Sequence, residues 1–128
     1  NKNTSDVLIH DAARAMISDE IIDRCLYALK KYEGVAPAIP SENTLANIDS
    51  DETINDIPNR KNIYQLQTPQ CFRYKTIINC FNKFEGEVTD DISILIQMGY
   101  KCGIVKGSKM NFKITTQDDI KLLKNYYE

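Results

Sequence analysis

A chain of 128 residues is long enough for one domain with a modest hydrophobic core. Hydrophobic residues make up 42% and charged residues 27%, an ordinary globular mix, and no apolar run approaches the roughly 18 residues of a membrane helix. The formal charge of -2, with acids and bases interspersed, excludes the broad basic face of a nucleic-acid binder but leaves room for a phosphate pocket built from a few placed cations.

The opening, NKNTSDVLIHDAAR, lacks a signal-peptide layout, because its apolar run is only Val7 to Ile9. Asp6 to His10 (DVLIH) is apolar without alternation, which predicts a short buried strand. Ser18 then opens a predicted helix with Asp19 and Glu20 in its first turn. Ile21, Ile22, Cys25, Leu26 and Leu29 form its apolar face, and Gly34 is its expected stop. Gly34 to Ile39 is the next predicted strand, confined by Pro37 and Pro40.

Residues 41–59 are polar and acidic, and two short strands (Thr44 to Ile48, Thr53 to Ile57) around the SDE turn predict a protruding hairpin. Ile63 to Gln67 predicts a strand entering a constrained turn at Thr68, Pro69 and Gln70. Tyr74 to Phe84 predicts a helix with Ile77, Ile78, Phe81 and Phe84 on one face. Thr89, followed by Asp90 and Asp91, is the expected cap of a further helix that ends at Gly99. Lys101 to Val105 is a strand, and Thr116 and Asp119 have capping-box spacing at the start of the last helix. Strand and helix signals alternate, which predicts an α/β layer arrangement.

The cysteines, Cys25, Cys71, Cys80 and Cys102, form no CxxC, and His10 has none at ligand spacing, so a structural zinc site is poorly supported. They are read as reduced core or near-core residues of a cytoplasmic protein.

Asp11 follows the first strand directly, and ligands of open α/β sheets bind beyond the carboxyl ends of strands. It can hold a divalent metal, since magnesium takes one or two carboxylates with substrate phosphates and water, or it can cap the following turn. His10 reads as a packing or orienting residue rather than a general base. Arg14 is close enough to share a mouth with Asp11, or is a surface arginine. Thr44 and Arg60, at the two ends of the polar segment, offer a hydroxyl and a bidentate fork to a phosphate at the base of the hairpin. In QLQTPQCF, Pro69 stiffens itself and Thr68, which suits either a ligand-facing group or an ordinary turn. Thr89, Asp90 and Asp91 read as a helix start rather than a metal site. Lys113 can neutralise a phosphate or extend outward into water.

Two features suggest a chain short of its full fold. It opens almost directly on an apolar strand whose neighbours are not obvious, and GxGxxG and GxxxxGK[ST] are both absent.

In this order, VLIHDAAR (Val7 to Arg14), AIPSENT (Ala38 to Thr44), DIPNR (Asp56 to Arg60), QTPQCF (Gln67 to Phe72), VTDD (Val88 to Asp91), VKG (Val105 to Gly107) and NFKIT (Asn111 to Thr115) resemble the polyol-phosphate cytidylyltransferases, which act on methylerythritol 4-phosphate or ribitol 5-phosphate. The resemblance implies a C-terminal portion of such an enzyme: the C-terminal half of a Rossmann-like, three-layer, mixed-sheet nucleotidyltransferase fold, with a β-arm over residues 41–62. It implies magnesium on Asp11, catalytic roles for Asp11 and Lys113, and substrate contacts from Arg14, Thr44, Arg60 and Thr68. The partners implied are CTP and a polyol phosphate, with a homodimer formed through the arm and neither nucleic acid nor membrane. The reaction implied is attack of the acceptor phosphate on the α-phosphate of CTP, releasing pyrophosphate.

Ala15 stands where that family usually has proline, and the family's glycine-rich loop has no counterpart. The expectation is therefore an enzyme in full length and an inactive fragment, with ribitol 5-phosphate favoured over methylerythritol 4-phosphate as acceptor. A non-catalytic α/β dimerisation domain is the reading from another class.

Overall fold

The computed structural model describes residues 3–88 and 90–127. The first strand, β1 (Asp6–Ile9), leads to helix α1 (Asp19–Ala28) and the long strand β2 (Gly34–Pro40). Two short strands, β3 (Asn47–Ile48) and β4 (Ile54–Asp56), precede a single 3-10 turn at Arg60–Asn62. Then come β5 (Tyr64–Leu66), β6 (Gln70–Arg73), α2 (Tyr74–Lys83), α3 (Asp91–Gln97), β7 (Cys102–Lys106) and α4 (Gln117–Tyr127).

β2 organises the main sheet. It pairs antiparallel with β6 through Gly34 and Val35, antiparallel with β5 through Ala38 to Pro40, and parallel with β7 along Gly34 to Ala38. Ala38 faces Leu66 on one side and Lys106 on the other, so β5 and β7 flank opposite edges of β2. β1 closes the other end by pairing antiparallel with β6, Asp6 opposite Arg73 through Ile9 opposite Gln70. The sheet is mixed, and β1, β2 and β7 all point their carboxyl ends the same way.

Alternate residues feed two cores, one on each face. Val35 and Cys71 pack with Ile21, Cys25 and Leu29 of α1, while Ala36 and Phe72 pack with Ile77, Cys80, Ile92, Ile94 and Leu95 of α2 and α3. The result is helix, sheet, helix: three layers, in which strands covered on both faces need apolar residues on both. That requirement explains why DVLI shows no alternation: Val7 and Ile9 lean on one core and Leu8 on the other. Cys25, Cys71 and Cys80 are buried in these cores. A hydrogen bond with Cys25, and then burial, push the Cys71 thiol up, which keeps it protonated and unreactive. Among the described residues no helix is long and apolar enough to cross a membrane.

Two local expectations need correction. Gln70 to Arg73 is not the tail of a turn but a strand, β6, with Cys71 and Phe72 fully buried between β1 and β2. Gly34 does not stop α1, which ends at Ala28; it begins β2, where a Cβ would meet Leu95 Cδ2 at 3.0 Å and Cys102 Sγ at 3.1 Å. Its small size serves strand packing, not a left-handed cap. Gly99, at φ +81, does end the α3 region as a C-terminal glycine should. Thr89, the expected cap of α3, lies outside the described residues. Asp90 makes no side-chain cap there, and the Ile92 amide instead donates to Gln70 Oε1 at 3.0 Å.

At α4 the capping box forms as spaced. The Asp119 amide donates to Thr116 Oγ1 at 3.2 Å, while Asp119 Oδ2 accepts from the Thr115 and Thr116 amides at 2.9 and 2.8 Å. These backbone bonds, led by Thr115, hold the Asp119 carboxyl below its ordinary value. A depressed carboxylate stabilises above its unfolded value, near 3.8, and that stabilisation is lost as pH falls through the folded one. Hydrogen exchange at the first turn of α4 should therefore accelerate below about pH 4, ahead of the β2 amides, and Asp119→Asn should remove that pH dependence. Protection unchanged by the substitution would discount the cap.

β3 and β4 form a separate two-stranded sheet, irregular between Asn47 and Ile48, with every residue exposed. Its base is tied to the body: Arg60 Nη1 donates to the Glu42 carbonyl at 3.2 Å, and Lys109 pairs with the Glu42 carboxylate.

Candidate active site

The carboxyl end of β1, the turn between β5 and β6 and the loop after β7 converge on one cleft of about 440 Å³. Asp11, Arg14, Thr68 and Lys113 line it, with Gln67, Gln70, Asp90 and Asp91. Asp11 Oδ2 lies 3.2 Å from Lys113 Nζ and 3.4 Å from Arg14 Nε. Lys113 arrives from 102 positions along the chain, brought by the loop after β7, where the Ile114 amide donates to the Ala13 carbonyl at 2.9 Å. The Asp11 side chain is 34% exposed and that of Lys113 49% exposed. Pairs this wet contribute about 0–1 kcal/mol to stability, so what the arrangement chiefly provides is charge held at an opening.

A tight turn places Arg14 beside Asp11: the Arg14 amide donates to the Asp11 carbonyl at 2.9 Å, and Arg14 Nη1 donates to the Asn111 carbonyl at 2.8 Å. Thr68 sits across the mouth in the turn that holds the cis peptide to Pro69, and its Oγ1 accepts from the Asp11 amide at 3.0 Å. His10 completes this connection. Its Nε2 is 3.1 Å from the Arg14 carbonyl, which can only accept, so Nε2 carries the proton. In the neutral ring Nδ1 then accepts from the Thr68 hydroxyl at 2.9 Å. His10 thus orients Thr68 and the Asp11 turn, as an orienting residue would, and it does not line the cleft.

Asp90 and Asp91 join the cleft from the start of α3. Burial pushes the Asp91 carboxyl above its ordinary range, and the neighbouring charges of Asp90 and Asp11 push it further. The mouth therefore carries acids that crowd one another beside two cations. No group of three or more His, Cys, Asp or Glu forms a ready-made metal cage among the described residues. Magnesium needs less, since one or two carboxylates with substrate phosphates suffice. Asp11, about a third exposed and open to the cleft beside Asp90 and Asp91, has the chemistry for that role.

Thr44 and Arg60 do not line this cleft. Thr44 is exposed at the near end of the arm, and Arg60 is engaged at its base by the Glu42 carbonyl. Two groups that the sequence reading included in QTPQCF and NFKIT without giving them a role are buried at the site: Gln67, 4% exposed on the cleft wall, and Asn111, 0% exposed beneath it.

A family model described as "IspD: 2-C-methyl-D-erythritol 4-phosphate cytidylyltransferase" matches residues 1–128. The 2-C-methyl-D-erythritol 4-phosphate cytidylyltransferase of Thermosipho africanus is 40% identical over 120 residues, covering 91% of this chain and 53% of that protein. The same enzyme of Microcystis aeruginosa is 41% identical over 117 residues, 89% of this chain and 52% of its own. Among solved structures, 4-diphosphocytidyl-2C-methyl-D-erythritol synthase from Anaerococcus prevotii aligns with a TM-score of 0.92 at 35% identity, covering 99% of this chain and 60% of that one. The Thermus thermophilus enzyme aligns with a TM-score of 0.84 at 27% identity, over 97% of this chain and 62% of that one. The chain spans about half the length of the curated relatives it matches.

These matches overturn the expectation of a C-terminal portion, both as an identity and as half a fold. The family match runs across residues 1–128 and the solved structure follows 99% of the chain, so the mixed-sheet nucleotidyltransferase-like fold spans nearly all of it. The physical reason is β6. The opening strand seemed to need neighbours from elsewhere, and β6 supplies one from within the chain. The preference for ribitol 5-phosphate also finds no support, since the matched family and both relatives are named for methylerythritol phosphate.

Proposed function

The chain belongs to the 2-C-methyl-D-erythritol 4-phosphate cytidylyltransferase family of nucleotidyltransferases, and on that premise we propose that it transfers CMP from CTP to 2-C-methyl-D-erythritol 4-phosphate. A phosphate oxygen of the acceptor attacks the α-phosphorus of CTP, the bond from that phosphorus to the bridging oxygen breaks, and pyrophosphate leaves. The observation that carries this reading is the meeting of Asp11, Arg14 and Lys113 at one open mouth, with Thr68 opposite. In-line displacement at phosphorus asks a protein for position and positive charge rather than for a nucleophile.

Within this reading Lys113, half exposed on its ion pair, faces the charge that builds on the transferring phosphoryl group. Arg14 is the second cation on the same wall, fixed by the Asn111 carbonyl. Thr68, its hydroxyl held between the Asp11 amide and His10 Nδ1, offers its remaining lone pair to the acceptor side. Asp11 would hold magnesium, with Asp91 or Asp90 near enough to assist; the bound ion supplies charge neutralisation and a template for the phosphates. Thr44 and Arg60, which do not line this cleft, are assigned to the acceptor phosphate of a second copy reached through the arm. Exposed Ile48, Ile54 and Ile57, at 61%, 61% and 59%, give the arm an apolar surface suited to packing on that copy.

The test is product formation from CTP with each acceptor, followed by phosphorus NMR for a new diphosphate linkage. A CDP-linked product from 2-C-methyl-D-erythritol 4-phosphate, formed at least about 10-fold faster than from ribitol 5-phosphate, is expected. Turnover with ribitol 5-phosphate alone, or with neither acceptor, would sink the assignment.

A further inference from the structure

We infer that Gln67 and Asn111 are positioning residues, an amide clamp at the inner wall of the cleft that sets Lys113 against Asp11. The inference rests on the cytidylyl-transfer reading for its kinetic consequence and on geometry for the clamp itself. Gln67 Nε2 donates to the Ser108 carbonyl at 2.7 Å, and its Oε1 accepts from the Ser108 amide at 3.2 Å. One side chain thus pairs with a loop residue as a neighbouring strand would. Asn111 Nδ2 donates to the Thr68 carbonyl at 2.8 Å and approaches Gln67 Oε1 at 3.4 Å. The Asn111 carbonyl also receives Arg14 Nη1 at 2.8 Å.

Both amides therefore stitch the loop after β7 to the turn before β6, and Lys113 lies only two residues beyond Asn111. Four cleft groups depend on the seam. Thr68 and Arg14 bond to Asn111 directly, Lys113 follows it in sequence, and Asp11 bonds to Thr68 and pairs with Lys113. The arrangement is costly to maintain, because the Asn111 Oδ1 is buried with no hydrogen-bond partner. Gly107 belongs to the same device. A Cβ there would lie 2.4 Å from Gln67 Oε1, so an alanine at this position forces the amide out of its bonds to Ser108.

Asn111→Asp and Gln67→Glu keep size and remove the donor, while Gly107→Ala displaces the Gln67 amide and removes no polar group. Each should lower kcat by about 10- to 100-fold, as misplacement on the order of 1 Å does. KM for CTP and for the acceptor should change less than kcat, because no side chain assigned to the substrates is removed. Amide exchange should rise from Ser108 to Ile114 while the β2 amides keep their protection. Unchanged kcat with unchanged loop exchange would overturn the inference, as would equal loss of protection in β2, which marks general destabilisation. If one carboxylate variant fails to fold, Gly107→Ala decides by the same two readings. A wild type with no cytidylyl transfer sinks the functional proposal instead. Exchange then judges the clamp alone: confinement to the loop supports it and spread to β2 overturns it.

Discussion

Lys113→Met is expected to lower cytidylyl transfer by roughly 10²- to 10³-fold, the usual loss when one preorganised charge or donor is removed from a phosphoryl or acyl site. Methionine keeps an unbranched stem of similar reach, so the loop after β7 should keep its path. The Ile114 amide bond to Ala13 and the Asn111 seam do not involve the ammonium group. The side chain is 49% exposed, so loss of its pair with Asp11 should shift stability by no more than about 1 kcal/mol. Most of the effect should fall on kcat, because in the proposed reaction the charge facing Lys113 grows as the bond to pyrophosphate breaks. Lys113→Arg should recover only part of the rate, since a planar fork cannot put its charge where a compact ammonium sits. Steady-state pyrophosphate release, run beside a thermal melt, checks both halves. A methionine variant with wild-type kcat would remove Lys113 from the mechanism.

Much of this site could be read from local sequence, and what could not be read has a common cause. Asp11 stands out because an acid directly after an apolar strand sits where α/β sheets bind ligands. The capping box at Thr116 and Asp119 and the stop at Gly99 are short-range patterns, and both formed as spaced. β6 was missed because four residues wedged between a proline turn and a helix show no period of their own. Its strand character comes entirely from β1 and β2 on either side, which is tertiary information. Gln67 and Asn111, though inside QTPQCF and NFKIT, carried no readable role for the same reason: their partners lie 41 to 44 positions away. Thr44 and Arg60 were read as site residues from their place at the ends of the polar segment and from family likeness, and the chain's own cleft leaves them outside.

Asp11→Asn carries the other large expectation, a loss of roughly 10²- to 10³-fold in kcat/KM together with a weakened response to magnesium. The substitution is near isosteric, and the backbone amide of residue 11 still donates to Thr68 Oγ1, so the turn should persist. Charge is what changes. Arg14 and Lys113 would face each other across a neutral amide, and the crowding that pushes Asp91 upward would lose one of its sources. Magnesium binding by calorimetry, in the presence of CTP, separates two explanations for any lost rate. If Asp11 holds the ion, affinity falls and excess magnesium restores part of the activity. If Asp11 only orients the two cations, affinity is unchanged and no concentration of the ion helps. The second outcome would keep the cleft as the site but remove Asp11 as the metal ligand, leaving Asp90 and Asp91 as the remaining acids of the cleft.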